Sequence, residues 1–206
     1  MTTSPSNRRS IVVVFGKPGA GKTTISNATL NKIRTSCEMS DEEKSCVLLD
    51  LDICIPSWMK ENFAKGVYPT LRQRDEFAKL ACDYVDLELS KIETPHCWVL
   101  ISFSFVNTDL RDHFRSRFPN AKWALVDVSD STAQERIDQR EGHFYKGAPS
   151  ASNKIENEDG TIQAENKDDN NEWDFAPVEF DHVKLNGLEK VESNAEIVIN
   201  MLKETE

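Results

Sequence analysis

The stretch from Ile11 to Asn27, IVVVFGKPGAGKTTISN, constrains this chain more than any other. Ile11 to Phe15 is a compact apolar run rich in β-branched side chains, the pattern of a fully buried strand. Gly16-Lys17-Pro18-Gly19-Ala20-Gly21-Lys22-Thr23 then matches G-x-x-x-x-G-K-[ST] at every fixed position. Glycines there let the backbone turn its N–H groups around a phosphate, and the following helix points its positive end at the same anion. The expected cradle is Gly16, Pro18, Gly19, Ala20, Gly21, Lys22, Thr23 and Thr24. Lys22 reaches the outer phosphates, and the Thr23 hydroxyl suits Mg²⁺, a hard cation that takes oxygen ligands. The bound molecule expected is a nucleoside triphosphate, with Mg²⁺.

Composition narrows the setting. With 206 residues, the chain is expected to form a single domain, residues 1–206. A net charge of −10 and the lack of a basic stripe argue against nucleic acid as a partner. No apolar run approaches the roughly 18–20 residues needed to cross a bilayer, so no membrane role is expected. MTTSPSNRRS at the start has no secretory apolar region. The five cysteines form no C-x-x-C pair and read as thiols in a reducing compartment, which places the chain in the cytoplasm.

Beyond the first strand, apolar runs and helical spacings alternate. Strands are expected at Cys46–Leu49, Cys97–Phe105, Lys122–Val128 and His182–Leu185. Helices are expected from Thr24 to about Thr35, Pro56 to Ala64, after Thr70 to about Glu93, Asn107 or Thr108 to Phe118, Ser129 or Asp130 to Glu141, and Ser193 to Lys203. The longest of these carries Leu71, Phe77, Leu80, Ala81, Tyr84, Val85 and Leu87. This alternation predicts an α/β chain with a parallel five-stranded sheet and helices on both faces. Residues 148–175 break the pattern: rich in Asn, Asp, Glu and Ser, they read as a flexible acidic insert or a functional loop.

In open parallel sheets, ligands lie at the carboxyl ends of the strands. Asp50 and Asp52 follow the second strand at alternate positions of one extended segment. Asp50 is the candidate for the metal's water shell, the alternative being a helix cap or a solvated turn. Asp52 is the candidate base that holds and deprotonates an acceptor hydroxyl. Arg74 offers a planar fork to the acceptor, and Ser104 lies after the third strand. Arg136, Arg140, His143 and Lys146 form a basic group that reads either as compensation of a helix dipole or as a lid over the triphosphate at about 140–150. Gly142 and Gly147 are its hinge candidates.

These residues together resemble the small-molecule P-loop kinases of the nucleoside-monophosphate-kinase-like group, and the gluconokinase family in particular. Asn62-Phe63-Ala64-Lys65-Gly66-Val67-Tyr68-Pro69-Thr70-Leu71 with Arg74 is similar to that family's N-x-x-K-x-x-x-G-x-P-L segment, at shorter spacing. Arg140-Glu141-Gly142-His143-Phe144-Tyr145-Lys146 is similar to its Arg-x-Gly-His-Phe-Phe-Lys lid, and Leu110-Arg111-Asp112 to its Tyr-Arg-Asp. The resemblance spans about residues 11–147. It implies the three-layer P-loop NTPase fold with a lid, and ATP-dependent phosphorylation of a small hydroxylated acceptor, a sugar acid or polyol. It places Lys22 and Thr23 on nucleotide and Mg²⁺, Asp52 at the acceptor, and Arg136 and Arg140 at the phosphates; Tyr68, Arg74, Ser104, His143 and Lys146 are the further acceptor-side candidates. Lys22, Asp52 and Arg140 are the catalytic candidates. A monomer or homodimer is expected.

Two departures fall beside the expected acceptor pocket. The family's Leu-His-Pro is replaced by Ile53-Cys54-Ile55-Pro56, and Ser104-Phe105-Val106-Asn107 has no lysine. One alternative reading is a nucleoside or nucleotide kinase with a base pocket built from Trp58, Phe63 and Tyr68. Another is a nucleotide-dependent switch or assembly ATPase. The chain holds no N-K-x-D guanine motif.

Overall fold

The computed structural model describes residues 8–37, 45–65, 67–94, 96–140, 145 and 175–204. Five strands, β1 (Arg8–Phe15), β2 (Cys46–Asp50), β3 (His96–Phe103), β4 (Lys122–Asp127) and β5 (Val183–Asn186), form one sheet in the order β2-β3-β1-β4-β5. Every pairing is parallel. Six helices connect them: α1 (Lys22–Thr35), α2 (Ser57–Ala64), α3 (Leu71–Ser90), α4 (Thr108–Arg117), α5 (Asp130–Asp138) and α6 (Val191–Lys203). The expected α/β class and five-stranded parallel sheet are therefore present.

Side chains alternate across the central strand, as strand geometry requires. Val12 and Val14 pack with Ile25, Ile33, Val198 and Leu202 beneath α1 and α6. Val13 and Phe15 pack with Phe77, Val85, Leu110 and Phe114 beneath α3 and α4. All four β1 side chains are fully buried. This double burial is why the strand reads as an unbroken apolar run in sequence rather than as an alternation.

Several boundaries differ from expectation for identifiable reasons. β1 begins at Arg8 because its register with β3 extends to Arg8 opposite His96. β3 stops at Phe103 because Phe105 has a φ of +45°, which no strand accommodates. α3 is held at its start by a capping box in which Thr70 Oγ1 accepts from the Gln73 N–H and Gln73 Oε1 accepts from the Thr70 N–H. Its buried stripe is Phe77, Ala81, Val85 and Leu89, so Leu71, Leu80 and Leu87 lie half exposed. The predicted lid and insert lie outside the described residues, apart from Arg140, Tyr145 and Phe175.

Among the described residues no helix is long and apolar enough to cross a membrane. Cys46, Cys54, Cys82 and Cys97 are buried free thiols, and Cys37 is exposed. Burial pushes the Cys46 and Cys82 thiols up to about 12, so they act as small core side chains.

Candidate functional site

An all-parallel sheet brings every strand's carboxyl end to one edge. β1 continues into α1 on one face, whereas its neighbour β3 continues into α4 on the other, so a crevice opens between them. The phosphate loop sits in that crevice. Gly21 starts α1 at a φ of +103°, and no side chain caps the helix, which leaves its first N–H groups for an anion. Gly19 has a φ of +82°, and a Cβ there would lie 2.3 Å from the Ala133 carbonyl oxygen. The loop is thus packed against α5 at a point only glycine allows. Lys17 forms an ion pair with Asp130 at the start of α5.

Lys22 Nζ donates to the Lys17 carbonyl at 3.1 Å. Burial lowers its pKa to about 8; nearby Asp52 opposes that shift, Arg140 adds to it, and Asp50 opposes it more weakly. Lys22, Asp52, Asp50 and Arg140 therefore share one electrostatic neighbourhood.

Asp50 and Asp52 do not project from one extended segment. Asp50 Oδ1 accepts the Asp52 N–H at 3.1 Å and starts a one-turn 3₁₀ helix, Leu51–Cys54. A short carboxylate that can bond the backbone two residues on favours a turn over a continued strand. The other oxygen, Oδ2, accepts the Thr23 hydroxyl at 3.1 Å. Asp50 is thus both the cap of the turn and the partner of Thr23. In register beside it on β3 stands Ser102, whose buried hydroxyl has no hydrogen-bond partner. A hydroxyl, a carboxylate and an orphaned buried oxygen at the foot of a phosphate loop fit Mg²⁺, which keeps several waters and borrows phosphate oxygens rather than needing an all-protein cage.

The loop has a cavity on each side. Gly19, Ala20, Gly21 and Thr24 line a mixed, open cavity of about 390 Å³ that Ile25, Arg136, Arg140, Gly187 and Asn194 also border. Arg136 is committed within it: Nη1 donates to the Ala20 carbonyl at 3.0 Å and Nη2 to the Gly187 carbonyl at 2.9 Å. It lies inside α5 and straps the phosphate loop to the turn after β5, whereas Arg140 stands exposed beyond the helix end. Pro18 borders the second cavity, which Asp52, Ser104 and Arg74 also line. Arg74 donates from Nε to Asp109 Oδ2 at 2.9 Å and from Nη1 to the Pro69 carbonyl at 3.1 Å.

Tyr68 is buried against Phe63, with 5.9 Å between ring centroids, and burial pushes its phenol up to about 12. Of the predicted base-pocket residues Phe63 lines the second cavity, whereas Trp58 is 42% exposed and stands apart from it. His143 and Lys146 lie outside the described residues.

Sequence reasoning missed two parts of the site. The turn at Gly187 has a weak signal, a glycine just past the fifth strand at the ligand edge. The other is Arg111, noted only as part of a resembling tripeptide. It is 1% exposed and donates to four carbonyls: Phe105 at 2.7 Å, Val106 at 2.9 Å, and Ala176 and Pro177 at 2.8 Å each. Its guanidinium also lies 4.5 Å from the centre of the Phe175 ring. Arg111 therefore fixes the left-handed Phe105 beside Ser104 and anchors the chain after the insert to the core.

No family model matches the chain, and no curated protein matches it in sequence. Solved structures do share its fold. A sugar kinase from Janibacter sp. HTCC2649 aligns with a TM-score of 0.63 at 18% identity, covering 95% of each chain. The APS kinase of Mycobacterium tuberculosis, solved with AMPPNP and APS, aligns with a TM-score of 0.56 at 13% identity, covering 95% of this chain and 99% of its own. A gluconokinase from Sinorhizobium meliloti 1021 gives 0.54 at 16% identity, covering 95% of this chain and 94% of its own. At these identities the likeness is one of fold: the chain has the α/β fold that these three solved structures share.

Proposed function

We propose that this chain is an ATP-dependent kinase that transfers the γ-phosphoryl group to a hydroxyl of a small metabolite. The observation that carries the reading is the phosphate loop standing as a partition between two cavities, with Asp52 lining one and electrostatically coupled to Lys22. A triphosphate in the larger cavity would end at the partition, and an acceptor in the other would meet it there. The fold similarity to a sugar kinase and a gluconokinase agrees with this arrangement, and the sequence favours a sugar acid or polyol as acceptor.

The chain's own groups supply what phosphoryl transfer needs, which is positioning and charge stabilisation. The uncapped N–H groups of α1 hold phosphate oxygens. Lys22, once protonated, and Arg140 offset negative charge on the transferring group. Thr23 and Asp50 would hold Mg²⁺, which when bound neutralises charge on the outer phosphates. Asp52 accepts the hydroxyl's hydrogen bond, orients its oxygen and takes its proton. Apolar walls around Asp52 keep out water, the competing acceptor.

Asp52→Asn tests the assignment. The amide keeps the shape but cannot take a proton, so kcat should fall by about 10²–10⁴, with the Kd for ATP changed less than about twofold. A variant that lost ATP affinity and kept kcat would move Asp52 to the nucleotide side and overturn the reading.

A further inference from the structure

Resting on the kinase reading above, we infer that the acceptor is a compact alcohol with a hydrocarbon body, alkyl or aromatic, rather than the polyhydroxy chain of a sugar acid. The walls of the acceptor cavity carry this. Ile55, Met59, Phe63, Phe77, Phe103 and Leu110 line it, and none is more than 8% exposed. They come from the turn after β2, α2, α3, β3 and α4, and belong to the same packed core as Val13 and Phe15. The cavity is therefore a recess in the hydrophobic core, with the phosphate loop at its rim.

Among the described residues, the charged and hydroxyl groups on its lining are Asp52, Arg74, Ser104 and the phenol of Tyr145. Asp52 is needed at the reacting hydroxyl. Arg74 already spends two of its nitrogens on Asp109 and the Pro69 carbonyl, and its side chain is 12% exposed. A sugar-acid carboxylate would compete with Asp109 for that fork and add a second negative charge near Asp52. Beyond the one or two hydroxyls that Ser104 and Tyr145 could pair, each further hydroxyl of a polyol would be buried against phenyl rings or a thioether, and a buried hydroxyl without a partner is disfavoured. A hydrocarbon body meets no such penalty, and it gains from contact with Met59, whose unbranched side chain adapts to irregular shapes. The cavity holds about 60 Å³, which keeps that body small.

The step balances without any further reactant. The alcohol oxygen forms a bond to the γ-phosphorus of ATP as the bond from that phosphorus to the β–γ bridging oxygen breaks. ADP leaves with the electron pair, and the hydroxyl proton passes to the Asp52 carboxylate and then to solvent. Nothing is oxidised or reduced.

The test is direct binding to the full chain, followed by ligand-observed NMR with and without Mg·AMPPNP. The probes are 3-methylbutan-1-ol, benzyl alcohol, D-gluconate and adenosine. The inference expects at least one alcohol to bind at least tenfold more tightly than gluconate and adenosine. Met59→Gln should weaken that binding at least tenfold, Met59→Leu less than threefold, and neither should shift the Kd of Mg·AMPPNP more than twofold. Tighter binding of gluconate or adenosine, binding by neither alcohol, or indifference to Met59→Gln overturns it. Failure of the kinase reading shows separately, as absent binding of Mg·AMPPNP, because the alcohols are also titrated without nucleotide.

Discussion

At the scale of single residues, burial lowers the pKa of two cations, Lys22 and Arg111, that serve different ends. Lys22 has a pKa lowered to about 8, with desolvation as the main cause. Below that pH it carries the charge a triphosphate needs; above it the free chain must take up a proton on binding. ATP affinity should therefore hold up to about pH 8 and then fall towards tenfold per pH unit, measurable by calorimetric titration from pH 7 to 10. For the same reason the unfolded chain, with the ordinary lysine value of 10.5, binds more protons between about 8 and 10.5, so this group makes the free fold relatively more stable as pH rises through that window. Arg111 is instead a structural cation, matched by four carbonyls rather than by a carboxylate. Arg111→Met should cost at least about 3 kcal/mol in urea unfolding, since each orphaned buried carbonyl costs about 1–3 kcal/mol. The contrast explains what was legible in the sequence. Lys22 and Thr23 sit at fixed offsets within one local motif. Arg111 joins carbonyls that lie near it in the chain, Phe105 and Val106, to others across the insert, Ala176 and Pro177, and no local pattern encodes that. The hydrogen bonds of Arg136 were not legible, because its partners, Ala20 and Gly187, are distant in sequence.

At the scale of elements, β1 to β4 were readable as short apolar runs between turn residues, and the helices by their apolar spacing, with local side-chain caps at α3 and α5. The capping box at Thr70 is such a case. Thr70→Ala should lower stability by about 1 kcal/mol, read as a shift in the urea midpoint with an unchanged slope, and should leave ATP binding intact. Gly19→Ala should do more. Its Cβ would press on the Ala133 carbonyl at 2.3 Å while the residue sits at a φ of +82°. Either the phosphate loop or α5 must move, and ATP affinity should drop at least tenfold in a calorimetric titration. The sequence misread the segment after β2 for a physical reason. Asp50 uses one carboxylate oxygen to bend the chain and the other to meet Thr23, so a strand-like spacing of acidic residues became a turn.

At the scale of the molecule, what matters is which elements become neighbours. The alternation of strands and helices predicted a parallel sheet, but the order β2-β3-β1-β4-β5 is set by packing between distant segments. That order puts β3 beside β1 and opens the crevice. It also sets the hydrophobic recess against one side of the phosphate loop and the larger, mixed cavity against the other. Composition could show that the chain has a core; it could not show that part of the core is a recess beside Asp52. On the proposed kinase reading, phosphoryl groups cross this partition to a bound molecule rather than to water. A single-turnover reaction with [γ-³²P]ATP and Mg²⁺ measures it, with a panel of small alcohols, polyols and sugar acids as acceptors and Lys22→Ala as the control. The label is expected to move into an organic phosphate ester, and transfer to fall about 10²–10³-fold in Lys22→Ala, the cost of removing one charge-stabilising group. Label that appears only as inorganic phosphate with every acceptor, or transfer that survives Lys22→Ala, would contradict that reading.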